Sequence, residues 1–319
     1  MQGSLRAVVT AKWNETANIC GIELGPAGSE PLPAFTAGAH IDVLTPSGAT
    51  RQYSLCNAPR EKNRYEIGVL RAQDSRGGSE SMHEALSPGT MLEISPPRNH
   101  FPLHPGTHKS VLVAGGIGIT PHLSMAEQLC DDGAPFEIHY ASRTGDNAAF
   151  RQRLLKERFR GRAFFYSSSN GPRRLQLDEL FRANRSSAHF YVCGPTRLIE
   201  GARAAAKAAD ISPDRLHHEY FSPPAGPQAS TGCFEIHLAR SALSVLVNGD
   251  ESIVQALKRV GVNVETSCEQ GVCGTCMTPL LDGVAEHLDY FLSDDEQRSG
   301  KFIIPCCSRS RTPRLVLDL

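Results

Sequence analysis

No apolar run in the 319-residue sequence approaches the roughly 20 residues that a membrane-spanning helix requires, so no span is expected. An excess of basic residues is also missing. The formal net charge is −1, whereas a general nucleic-acid binder needs a basic surface to neutralise phosphates. A local charged patch for docking a protein partner is compatible with that balance. The opening residues, MQGSLRAVVTAKWNE, lack the apolar core of a secretory signal, which predicts a cytoplasmic protein. No hydrolase signature and no general acid–base dyad stands out. Hydrophobic content of 40% and charged content of 21% are ordinary for a globular chain, and the length predicts two or three domains.

Cysteine, by contrast, is plentiful: Cys20, Cys56, Cys130, Cys193, Cys233, Cys268, Cys273, Cys276, Cys306 and Cys307. A cytosolic chain of this size does not need disulfides, so clustered cysteines point to metal or redox chemistry. The isolated Cys20, Cys56, Cys130 and Cys233 read as small core residues.

Three kinds of pattern follow one another. In the first hundred residues, LRAVVTA, HIDVLT, RQYSLC, YEIGVLRA and MLEISPP are short β-rich runs between Gly, Pro and Asn turns, which predicts an antiparallel barrel or sandwich. SMHEAL is a helix-like interruption. From about residue 108, strands and helices alternate. KSVLVAGG, FEIHYASR, AFFYSS and HFYVCGP read as strands. PHLSMAEQLCDDG, AFRQRLLKERF, LDELF and TRLIEGARAAAKAADI read as helices. Alternation of this kind predicts a parallel sheet with crossover connections. SPPAGPQASTG (222–232) reads as a semi-extended linker. Beyond it, FEIHLARSALSVLVNG predicts a hairpin and ESIVQALKRVGV a short helix. That helix carries Ser252 and Gln255 as a capping box, with Ile253, Leu257 and Val260 on one face.

Cys268, Cys273 and Cys276 give the spacing C-x4-C-x2-C, with Cys306 after a long gap. This is the spacing of plant-type [2Fe–2S] clusters with one remote ligand. Gly271 and Gly274 let backbone N–H groups approach the sulfurs, where a Cβ would obstruct them. A zinc site would more typically show two Cys-x2-Cys pairs, and only one is present. The adjacent Cys306 and Cys307 leave the fourth ligand open.

VLVAGGIGITP (111–121) is a strand running through a glycine-rich turn into a helix, an arrangement that brings phosphates to unpaired N–H groups. Thr120 reads as the helix cap and Pro121 as a first-turn residue. The turn departs from G-x-G-x-x-G, because Pro121 stands where the third glycine would be. The second strand of this segment ends in Ser142 and Arg143 rather than an acidic residue, which on its own leans towards NADPH.

With RQYSLCN (51–57) beside GIGITP, CGP and the cysteine loop, the chain resembles the phthalate dioxygenase reductase family over nearly its whole length. The resemblance implies a multidomain fold: an antiparallel β-barrel flavin domain (1–105), an α/β parallel-sheet nucleotide domain (106–222), a linker (223–232) and a C-terminal β-grasp ferredoxin domain (233–319). It assigns FMN to Arg51, Tyr53, Ser54, Gly68, Val69, Leu70, Arg76, Gly77, Gly78 and Ser79. It assigns the nicotinamide nucleotide to Gly115, Gly116, Gly118, Thr120, Pro121, Cys193, Gly194 and Pro195, with Ser142 and Arg143 near its ribose end. An H-x-E-x-F element matches His217, Glu219 and Phe221, placing Glu219 at the cofactor and Phe221 at the flavin ring. Cys306 aligns as the fourth cluster ligand.

The implied activity is passage of electrons from NADH through FMN to a [2Fe–2S] cluster. From there they pass singly to the terminal oxygenase of a Rieske dioxygenase or O-demethylase system. A hydride brings two electrons at once, and the flavin stands between it and the one-electron cluster. Thr120 is expected near the flavin N5, and Cys193 and Phe221 at the hydride-transfer site. Family members favour NADH over the NADPH suggested by Arg143, and a monomer suits a shuttling donor. Rival readings are a reductase for a diiron or haem monooxygenase, and a flavin/iron–sulfur redox sensor.

Overall fold

The structure, a computed structural model, describes residues 4–73, 77–106, 108–143, 148–167, 174–224 and 230–319. The chain forms two compact units, Met1–Phe221 and Ser222–Leu319. Among the described residues no helix is long and apolar enough to cross a membrane.

The first unit opens with a rolled antiparallel sheet: β1 (Leu5–Thr16), β2 (Ile19–Pro26), β3 (His40–Leu44), β4 (Thr50–Ser54), β5 (Tyr65–Leu70) and β6 (Met91–Ile94), in the order β4-β3-β6-β1-β2-β5. The two edge strands are drawn together by the Leu55–Ile67 bridge and by Cys56 N–H donating to the Glu66 carbonyl at 2.8 Å. Alternation drives it: in β6, Leu92 and Ile94 are buried while Met91 and Glu93 look outward. Helix α1 (Gly78–Glu84) takes in the SMHE of the expected SMHEAL, starts three residues earlier and ends at the C-cap Ala85.

The second sheet is parallel: β7 (Ser110–Gly115), β8 (Phe136–Ser142), β9 (Ala163–Ser167), β10 (His189–Cys193) and β11 (Leu216–Glu219), ordered β11-β10-β7-β8-β9. Every residue of β7 and β10 is buried, the pattern of central strands covered on both faces. Around it lie α2 (Ile119–Asp131), α3 (Arg151–Leu154), α4 (Leu177–Ala183) and α5 (Thr196–Ala208), whose Ile199, Ala202, Ala205 and Ala206 form one buried face.

The two sheets share hydrophobic packing: Ile19, Ala37, Cys56 and Phe101 belong to the same buried cluster as Leu112, Ile119 and Tyr140. Arg153 adds ion pairs to Glu66 at 3.1 Å and Glu127 at 3.4 Å.

The long helix expected over AFRQRLLKERF is broken. Phe150 adopts φ 58° so that its ring can bury, and Lys156 is extended, leaving only α3 and one 3-10 turn, Glu157–Phe159.

The second unit holds β12 (Phe234–Leu238), β13 (Leu243–Val247), α6 (Ile253–Arg259), β14 (Thr278–Asp282), β15 (Ala285–Glu286), α7 (Asp294–Ser299), β16 (Phe302–Ile303), β17 (Arg309–Ser310) and β18 (Arg314–Leu317). The main sheet runs β13-β12-β18-β14-β16, with the hairpin antiparallel and β12 parallel to β18. Ser252 and Gln255 make the expected capping box on α6, and Ile253 and Leu257 are buried. Val260 is not: it is the C-cap of α6 and stands 40% exposed, because the helix ends before completing that face. Cys20 and Cys56 are buried as expected, but Cys130 is half-buried and Cys233 exposed, the latter in the extended segment before β12.

Candidate functional site

The parallel sheet has β7 at its centre, with β8 and β9 on one side and β10 and β11 on the other, so chain order reverses at β7/β10. The crevice beyond the carboxyl ends of strands at such a reversal is where open α/β sheets take ligands. The glycine-rich turn after β7 and Cys193-Gly194-Pro195 after β10 meet there. A Cβ at Gly115 would lie 2.7 Å from Pro195 Cδ, and one at Gly118 would overlap the Cys193 carbonyl. Gly116 takes φ 56°, the left-handed turn that glycine adopts without cost. Gly115, Gly118 and Gly194 bring the two turns into backbone contact, and the Cβ position of Gly116 faces open space, the side on which a phosphate-bearing ligand would meet N–H groups.

Thr120 does not cap α2. The 3-10 turn Gly116–Gly118 runs straight into the helix, so Gly118 is the N-cap and Thr120 lies inside the first turn. Its hydroxyl donates to the Ile117 carbonyl at 3.0 Å, and its methyl faces Gly68 of β5, where a Cβ would stand 2.7 Å away. Gly68 thus brings the barrel strand against the start of the nucleotide helix, and Val69 beside it is buried while Leu70 is 41% exposed. Pro121 sits in the first turn as expected.

Cys193 is buried and lies in register with Ala114 on one side and Glu219 on the other. Burial, then the Glu219 carboxylate, pushes its thiol up. That disfavours a nucleophilic thiolate, in keeping with Cys193 as a lining group. Glu219 Oε2 is buried with no partner among the described residues, and burial pushes its carboxyl up to about 8. An orphaned polar atom at a ligand crevice fits a carboxamide that would pair with it. Ser142 is the last residue of β8, paired with Ser167 of β9, and Arg143 follows it; Ser167 Oγ donates to the Arg143 carbonyl at 3.1 Å. Phe221, just past β11, is 37% exposed.

On the barrel, Arg51 and Tyr53 are half-buried and Ser54 is buried. The Arg51 side chain lies against the turn into α1: a Cβ at Gly78 would stand 3.0 Å from Arg51 Nε. Gly77 is left-handed at φ 88°, and Ser79 Oγ accepts from Ala72 N–H at 3.2 Å. A guanidinium over a glycine turn fits a terminal phosphate such as that of FMN. Arg76 lies outside the described residues.

In the second unit Cys268, Cys273, Cys276 and Cys306 come together. Cys268 accepts hydrogen bonds from the Cys273 and Cys306 thiols, which hold it far below the ordinary thiol range. Cys276 accepts from Cys306, while the donors Cys273 and Cys306 are pushed up. Backbone N–H groups of Gln270, at 3.3 Å, and Val272 also point at Cys268 Sγ. Four sulfurs close enough to share protons, with amides aimed at one of them, fit an iron–sulfur cluster. Cys306 reaches both Cys268 and Cys276 and also neighbours Cys307, whose Sγ lies 3.7 Å from the Ile304 carbonyl and 3.9 Å from Ser308 Oγ.

The two loop glycines have a further reason than access to sulfur. Gly271 and Gly274 are left-handed at φ 74° and 69°, and a Cβ would stand 2.5 Å from Cys307 Sγ at the first and overlap the Phe291 ring at the second. Sequence reasoning missed the support beneath. Asp289 is buried and accepts from Leu292 N–H at 2.9 Å and Ser308 Oγ at 3.3 Å. Arg309 is buried too, donating to the carbonyls of Glu251, Gly232 and Asn248 at 2.8–3.0 Å. A buried acid beside a cysteine loop and an Arg directly after C-C-S were the available signals.

Known proteins carry the same arrangement. Residues 236–311 match the 2Fe-2S iron-sulfur cluster binding domain family, and residues 112–204 match the oxidoreductase NAD-binding domain family. The chain is 43% identical to the vanillate O-demethylase oxidoreductase of Pseudomonas putida, over 98% of this chain and 99% of that one. A solved structure of phthalate dioxygenase reductase, described as a modular structure for electron transfer from pyridine nucleotides to [2Fe-2S], matches at TM-score 0.75 and 37% identity. That match covers 99% of this chain and 98% of that one. The chain belongs to the phthalate dioxygenase reductase family. An intact type IV self-sufficient cytochrome P450 monooxygenase contains a similar region, at TM-score 0.89 and 35% identity; 99% of this chain matches 41% of that longer one. As a family member the chain is an oxidoreductase with a nicotinamide-nucleotide domain and a [2Fe–2S] domain, joined to a flavin-type barrel sheet.

Proposed function

We propose that this phthalate dioxygenase reductase relative is the NADH-dependent reductase component of a Rieske aromatic-ring dioxygenase or O-demethylase, using FMN and one [2Fe–2S] cluster. The observation that carries the reading is the presence in one chain of a glycine-lined crevice at the β7/β10 reversal and a loop of four converging cysteines. The full-length likeness to a vanillate O-demethylase oxidoreductase supports an oxygenase as the acceptor.

A bound flavin would supply the exchange between a two-electron hydride and the single electrons a [2Fe–2S] cluster takes. Arg51, with Gly77, Gly78 and Ser79, binds the flavin phosphate. The turn Gly115–Gly118 with Gly194 and Pro195 binds the nucleotide phosphates, while Ser142 and Arg143 lie at the ribose end. Glu219, protonated near neutral pH, holds a proton at its buried carboxyl and donates it in a hydrogen bond to the carboxamide. Cys193 and Thr120, both buried, would line the hydride-transfer position and keep water from it, and Phe221 would lie at the flavin ring. Cys268, Cys273, Cys276 and Cys306 hold the cluster. A soluble monomer in the cytoplasm completes the reading.

Anaerobic titration of the purified protein with NADH, then NADPH, tests it. Flavin and cluster absorbance should bleach with NADH, and chromatography of the released flavin should give FMN. Bleaching by neither nucleotide would overturn the proposal.

A further inference from the structure

The parallel sheet carries a second constellation at the end away from the crevice. His189 is the first residue of β10, in register with Ser110 at the start of β7, whereas the nucleotide turns follow the last residues of those strands. His104 and His108 come from the connector between β6 and β7. One ring nitrogen from each of His104, His108 and His189 lies within 4.8 Å of the other two. His217 of β11 adds a fourth ring, its Nε2 3.0 Å from His189 Nδ1.

His104 and His108 lie against His189 with ring centroids 4.3 and 4.5 Å apart, so on binding an ion the rings would turn to aim one nitrogen each at it. Metal-binding histidines commonly use their second nitrogen to bond a neighbour, which fixes the tautomer. His108 Nε2 lies 3.2 Å from the Pro105 carbonyl, leaving Nδ1 for a ligand. His189 Nδ1 is engaged by His217, leaving Nε2. His217 is itself stacked on Tyr191, with ring centroids 4.7 Å apart, and the Tyr191 hydroxyl accepts the His104 backbone N–H at 2.7 Å. Gly106 lets the connector turn back: its φ is 135°, and a Cβ there would overlap the His108 ring. His104 is exposed and His108 half-exposed, so solvent reaches the cluster, while His189 is 5% exposed.

We propose that His104, His108 and His189 form a three-histidine site for a divalent transition ion of the zinc class, with His217 orienting His189. Neutral imidazole suits zinc, copper(II) and nickel(II), and three protein nitrogens with an open position is an established zinc arrangement. The ion would clamp the connector to β10. It lies at the opposite end of β10 from the nucleotide crevice.

The test uses holoprotein fully loaded with iron, so that the cluster thiols are occupied. Equilibrium dialysis against zinc chloride, with elemental analysis, measures zinc bound per chain. One zinc per chain is expected, saturating at micromolar concentration, and binding should weaken at least about tenfold in His108→Gln and His104→Gln. His237→Gln, in the other unit, should bind as the parent does. Because His189 is buried, His189→Ala is interpreted only alongside the two connector variants and unchanged flavin content. Uptake that is the same in the connector variants, or no saturable uptake below about 0.1 mM, would overturn the site.

Discussion

Glu219 stands opposite Cys193 in the parallel β10–β11 ladder, and one of its carboxyl oxygens is buried without a partner. An acid and a thiol, both held in their protonated forms by burial, therefore flank the crevice where the nicotinamide is proposed to bind.

Glu219 links stability to pH. Burial raises its carboxyl from 4.5 to about 8, so the folded chain keeps a proton that the unfolded chain releases. The stabilisation this gives is complete below the unfolded value and is lost as pH rises through the folded one. Each intervening pH unit corresponds to at most about 1.4 kcal/mol. Glu219→Gln keeps a donor and removes the linkage. Its Tm relative to the parent should rise between about pH 5 and pH 9 in calorimetry; a constant difference would contradict the assignment.

Gly274→Ala should cost the protein its cluster. The substitution forces a Cβ into the Phe291 ring at a left-handed φ, a combined strain and clash of roughly 1–3 kcal/mol or more. Iron per chain should fall well below that of the parent, while NADH still bleaches the flavin. Gly271→Ala should act the same way through Cys307.

Arg51→Met removes the charge that lies against Gly78. A charge-assisted bond to phosphate contributes about 1.5–3 kcal/mol, so FMN affinity should drop roughly 10- to 150-fold in fluorescence titration. Riboflavin, which lacks the phosphate, should bind parent and variant alike.

Acid should unfold the first unit by charging buried histidines. Desolvation lowers both His40 and His122 to about 4, at His122 against the opposing pull of the Gly118 carbonyl at 2.8 Å and the Tyr191 carbonyl at 3.0 Å, which favour its charged form. Folded values below the ordinary 6.5 give stability that is present above 6.5 and lost as pH falls towards 4. Tm should fall steeply across that window, and His40→Gln should flatten the dependence.

Much of this was legible in the sequence because the chemistry is local. The C-x4-C-x2-C loop, the GIGITP turn and the Ser252–Gln255 box each lie within a few residues. Alternation revealed β6 and β12, and continuous apolar runs revealed β7 and β10. What escaped depends on distant partners. β2 is buried on both faces and shows no alternation, and β11, LHHE, reads as polar although its His217 packs on Tyr191 and His189. The 3-10 turn that shifts the start of α2, the left-handed Phe150 and the ring behind Gly274 are set by contacts across the fold.

Electron delivery through the cysteine loop is the central claim, and Cys273→Ser tests it most directly. NADH-driven reduction of ferricyanide, which drains the flavin, should survive in the variant, while cytochrome c reduction falls to background with the loss of iron. Cytochrome c reduction at the parent's rate in an iron-free variant would contradict the account.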